Sequence, residues 1–111
     1  MTTDETAEII RLAGLMRQAD SNPEARAQFQ RVAAHICQDD FLLVILAYYL
    51  GRGKGYQINT DRPELVRRAY AVTVAVGGFV CRYGEERGDS LIEVLPCWPL
   101  PEGIGHCERI H

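Results

Sequence analysis

The 111-residue sequence predicts an α+β fold, mainly α, folded as a single domain over residues 1–111. The expected parts are a helical hairpin, a central apolar helix, a fourth helix and a small C-terminal β-hairpin. Three observations predict this. Apolar residues recur at helical spacing as far as Cys37. Residues 41–50, FLLVILAYYL, are apolar without interruption, fenced by Asp39-Asp40 and by GRGKG. Near the end, FVCRY and SLIEVL flank the turn-rich GEERGD.

Each element follows from its own signals. Thr2-x-x-Glu5 has capping-box spacing, and Ile9, Leu12, Ala13 and Met16 then share one stripe, which predicts a helix over about 4–19. DSNPE restarts the chain with Ser21 or Asn22 as cap and Pro23 in the first turn. Ala25, Phe29, Val32, Ala33 and Ile36 carry that second helix to about Cys37, antiparallel to the first. Asp39 or Asp40 is expected to cap a third helix running to Leu50, with Gly51 as its stop. Tyr56 to Asn59 reads as a short extended piece. Asp61-x-x-Glu64 and Pro63 open a fourth helix through Leu65, Ala69, Val72 and Val76, although the alternation in AYAVTVAV leaves a strand from Tyr70 open. Gly77-Gly78 ends either one. The hairpin that follows is expected to have a six-residue loop, and the tail PCWPLPEGIG, with three prolines, is expected to lack regular structure.

Composition bounds the function. At 47% hydrophobic and 24% charged the chain has ordinary globular usage, which excludes a disordered tail or linker. The net charge of -3 argues against a dedicated nucleic-acid binder. That average hides a basic middle, because Arg52, Lys54, Arg62, Arg67, Arg68 and Arg82 face only Asp61 and Glu64 within residues 41–84. The start, MTTDETAEII, lacks the cationic and apolar regions of an export signal, so the expected location is cytoplasmic, with Cys37, Cys81, Cys97 and Cys107 as reduced thiols.

Chemical motifs are thin. GRGKG matches no phosphate-loop spacing and leaves a helix C-terminus, which offers carbonyls to an anion where a phosphate loop offers N–H groups. Cys97, His106, Cys107 and His111 are four zinc-ligand types, but not in the close pairs that zinc modules use, so neither metal nor cofactor is expected. His35 and Cys37 sit two residues apart, and such side chains do not face each other on a helix. No catalytic residue is assigned.

The apolar run decides the expected role. It has about half the 20 residues of a membrane span, so no membrane contact is expected. A helix apolar on every side must be covered on every side, and so small a domain is short of covering surface. The expectation is a small, bacterial-type, non-enzymatic protein-binding regulator of the antiactivator, inhibitor or adaptor kind. It would cover a surface of a target protein, for example a transcription regulator. The partner-binding residues are expected to be Phe41, Leu42, Ile45, Leu46, Tyr48, Tyr49 and Trp98, aided by Leu100, and the chain is expected to form a homodimer. The alternative is a nucleic-acid-binding regulator that uses the basic segment 52–68.

Overall fold

The computed structural model describes residues 3–96 and 107–109. The fold is mainly α plus β, as the sequence predicts. Helices α1 (Thr3–Ala19), α2 (Pro23–Ala33) and α3 (Gln38–Gly51) come first, then β1 (Gly55–Thr60) and α4 (Pro63–Ala75). Strands β2 (Phe79–Glu86), β3 (Asp89–Leu95) and the short β4 (Cys107–Arg109) complete it.

The hairpin is only part of the sheet. The strand order is β2-β3-β1-β4, with β3 antiparallel to both β2 and β1, and β4 parallel to β1. Strands β1 and β2 therefore run the same way with β3 between them, and α4 crosses from one to the other as in a split βαβ unit. This places α4 against the inner face of the sheet. Ile58 and Ile92 lie opposite each other on that face, as do Tyr56 and Val94, and all four are buried with Leu65, Val66, Ala69 and Val72 of α4. Ile9, Leu12 and Ala13 of α1 and the buried side of α3 join the same core.

Several local expectations need correction. Asn22 caps α2 by accepting from the Glu24 and Ala25 N–H groups, as expected, but α2 ends at Ala33, short of Cys37. The third helix is capped by neither aspartate. Cys37 holds the N-cap position, and Asp39 and Asp40 lie inside the first turn, where their charge still favours a helix N-terminus. Gly51 is the last helical residue, and the stop is Gly53 with φ +78°. There the Lys54 N–H reaches the Tyr49 carbonyl and the Gly53 N–H reaches that of Leu50, which is a Schellman motif. The segment from Tyr70 is helical, and α4 ends the same way at Gly77, φ +81°. The hairpin turns through Arg87 and Gly88 alone, because Glu86 and Asp89 already pair. The expected cap Thr2 and most of the tail, Trp98 and Leu100 included, lie outside the described residues. Cys107 is described as the first residue of β4.

Candidate protein-docking face

Helix α3 is apolar around its whole circumference yet fully buried over less than half of it. Leu43, Val44, Leu46, Ala47 and Leu50 are buried, and Leu43, Val44 and Leu46 are 0% exposed. Phe41, Leu42, Ile45, Tyr48 and Tyr49 are only half-buried. At about 100° per residue the buried set fills an arc of roughly 160°, and the half-buried set fills one of roughly 120° centred on Ile45. Large apolar side chains occupy the whole of that second arc. Only its ends are polar, with Gln38 before Phe41 and Arg52 after Tyr48.

The expected contact residues thus divide. Phe41, Ile45 and Tyr49 face outward. Leu42 and Tyr48 lean from the same face onto the core. Leu46 belongs to the sealed side, and its assignment as a contact residue is wrong: it lies about 100° from Ile45, among the side chains that meet the other elements. Trp98 lies outside the described residues.

Neighbouring elements hold this face at both ends. Phe29 of α2 packs against Phe41 with ring centroids 6.3 Å apart. At the other end the Tyr48 hydroxyl donates to the Asp20 carboxylate at 2.8 Å, and the Arg52 guanidinium donates to the same oxygen at 3.0 Å. Arg52 also lies over the Tyr48 ring at 5.5 Å, and Lys54 over the Tyr49 ring at 5.9 Å. The apolar arc is thereby bordered by a cationic and aromatic rim, an arrangement of apolar centre and polar edge common to protein interfaces.

The basic middle of the chain is largely neutralised from outside it. Arg62 binds Asp39 through two parallel bonds, both 2.8 Å. Arg52 pairs with Asp20, Arg67 with Glu85, and Arg68 with Asp40. The glycine loop is also occupied, since the N–H groups of Arg52, Gly53 and Lys54 all close onto α3 carbonyls. A phosphate would have to displace these partners.

Reactive groups stay apart. His35 and Cys37 are both exposed, and among the described residues no three His, Cys, Asp or Glu side chains converge as a metal site. The half-buried Cys81 has its thiol pushed up by burial and then by the Glu93 charge, which disfavours a nucleophilic thiolate. Cys97, His106 and His111, three of the four zinc-ligand types near the C-terminus, lie outside the described residues. No helix among the described residues is long and apolar enough to cross a membrane.

A second exposed aromatic group joins Tyr70, which the sequence places among the basic residues of the middle segment, to residues that no motif in the sequence links to it. Tyr70 of α4 and Tyr83 of β2 meet edge to face, with centroids 5.2 Å apart and exposures of 44% and 37%. Val74, one helical turn beyond Tyr70, is 58% exposed. The available signal was the i, i+4 spacing of Tyr70 and Val74 on the face of α4 opposite Val72. The chain matches no protein family, and no characterised protein or solved structure matches it either.

Proposed function

We propose that this protein is a small non-enzymatic regulator that binds a target protein through the outer face of α3. The observation that carries the reading is the half-buried apolar arc of Phe41, Ile45 and Tyr49, flanked by Leu42 and Tyr48, on a helix whose opposite side is packed into the core. Binding acts by occlusion: the apolar arc lies on a complementary apolar surface that the target uses for its own assembly or ligand contact. Tyr48, Tyr49, Arg52 and Lys54 supply the rim that orients the two proteins. The reduced thiols expected of the chain fit action in the cytoplasm. The nucleic-acid alternative has less support, because four of the basic residues it needs are already paired with carboxylates of this chain.

Affinity capture from the native host, run in parallel with wild type and Ile45→Asp, tests the proposal. The half-buried position of Ile45 predicts that the variant keeps its helical circular-dichroism spectrum while the specifically retained protein disappears. If the same protein is retained by a folded Ile45→Asp and a folded Tyr49→Asp, the α3 reading fails.

A further inference from the structure

Strand β2 is the edge of the sheet, and β3 is its sole strand partner among the described residues. An edge strand presents a row of unpaired backbone donors and acceptors, and natural proteins usually blunt such an edge. Here the bulge at Cys81 blunts only the first part, because the register with β3 slips between Val80 and Arg82. From Arg82 to Glu86 the register is regular.

Three features of that regular stretch point to one occupant. First, Arg82, Gly84 and Glu86 share the outer face of the sheet, and both charged side chains are exposed. Neither has an ion-pair partner among the described residues, in contrast to Arg11, Arg52, Arg62, Arg67 and Arg68. Second, the fold itself does not require Gly84: its φ is not positive, and a Cβ placed there would meet nothing within 4 Å. A glycine inside a strand often marks the close approach of another backbone. Third, Tyr83 on the inner face continues into Tyr70 and Val74, so exposed apolar surface lies directly beneath the open edge.

We propose that the β2 edge pairs with the β2 edge of a second copy of this chain, antiparallel, about a two-fold axis at Gly84. Charge fixes the register. Centring the pair on Arg82 or on Glu86 sets like charges face to face, whereas centring it on Gly84 sets each Arg82 opposite the partner copy's Glu86. Opposed residues then share a face, so the two sheets join into one continuous sheet. The Tyr70, Val74 and Tyr83 surfaces come together beneath the seam. This dimer leaves α3 free, so it goes beyond the reading of α3 as the target face and does not depend on it.

Sedimentation velocity over a dilution series at low salt tests the proposal. Wild type is expected at twice the chain mass. Arg82→Glu and Glu86→Arg alone each set like charges opposite each other on both sides of the axis, and each is expected to raise the dimer dissociation constant roughly a hundredfold without unfolding the chain. Mixing the two variants restores both pairs, so the mixture is expected to recover the dimer. The double variant Arg82→Glu/Glu86→Arg recovers it for the same reason. A wild type that stays monomeric throughout overturns the proposal. So does a dimer indifferent to either charge reversal, or one dissociated by Ile45→Asp, which would place the seam on α3.

Discussion

The Tyr56 hydroxyl shows how one residue couples the sheet to α4. Tyr56 is 0% exposed in β1, and its hydroxyl shares a 2.7 Å hydrogen bond with the buried Thr73 of α4. A buried polar atom without a partner is costly, so this bond fixes where α4 sits on the sheet. Tyr56→Phe strands the Thr73 hydroxyl and is expected to lower stability by about 1–2 kcal/mol, measurable by urea unfolding. Adding Thr73→Val is expected to cost less than the sum of the single changes, because the second substitution removes the stranded group. Burial pushes the phenol up to about 12, with the Thr73 bond opposing more weakly. In the unfolded chain it ionises near its ordinary value of about 10. Between those values the unfolded state has lost a proton that the folded state keeps, so stability falls as pH rises. The loss attributable to Tyr56 is about 2–3 kcal/mol across that window. Tyr56→Phe is expected to flatten this part of the stability–pH curve, and an unchanged slope would contradict the assignment.

At the scale of elements, the parts set by local chemistry were legible and the parts set by distant partners were not. Pro23 and Asn22 begin α2, and Pro63 begins α4, as their spacing predicts. Asp39 and Asp40 look like caps, yet their carboxylates meet Arg62 and Arg68, which are 23 and 28 residues away. No local pattern announces such a contact. Glu85, Glu86 and Asp89 look like loop, yet they are strand, because the hairpin tip stands in solvent and its polar side chains carry no penalty there. The apolar run was readable as a helix in need of cover, but its orientation was not. Uniform hydrophobicity gives no sign of which side turns inward, and so Leu46 was assigned to the wrong side. The same ambiguity supplies a test. Leu46→Asp buries an unpaired charge and is expected to unfold the chain, whereas Ile45→Asp is expected to cost no more than about 2 kcal/mol by thermal unfolding. Gly53 offers a second test at this scale. Its φ of +78° is unfavourable for any residue with a Cβ, and open space around it removes every steric explanation but the backbone one. Gly53→Ala is therefore expected to lower stability by about 1 kcal/mol, and a neutral effect would mean that the Schellman motif does not hold the end of α3.

Across the whole molecule, the charge pattern and the apolar pattern assign different work to different surfaces. The sequence places a basic middle between acidic ends, and the fold brings the two together: Asp20, Asp39, Asp40 and Glu85 sit on Arg52, Arg62, Arg68 and Arg67. The long-range field that could have steered a nucleic acid is thereby reduced to short-range pairs. The α3 arc, by contrast, is only half-buried along Phe41, Ile45 and Tyr49, with Phe29 against Phe41 at one end. These two facts predict opposite responses to salt. If α3 binds a target as proposed, the affinity, carried by apolar area, is expected to change less than about threefold between 50 and 200 mM salt, the range over which phosphate-dependent binding falls by roughly a thousandfold or more. Arg67→Ala with Arg68→Ala is expected to leave target affinity within the same margin. The stability cost should be about 1 kcal/mol or less for the exposed Arg67–Glu85 pair and somewhat more for the partly buried Arg68. Isothermal titration at the two salt concentrations, with wild type and the double variant, reads both effects at once. A steep loss of affinity with salt that the double variant abolishes, with its melting transition intact, would move the binding surface from α3 to α4 and favour a nucleic acid as the ligand.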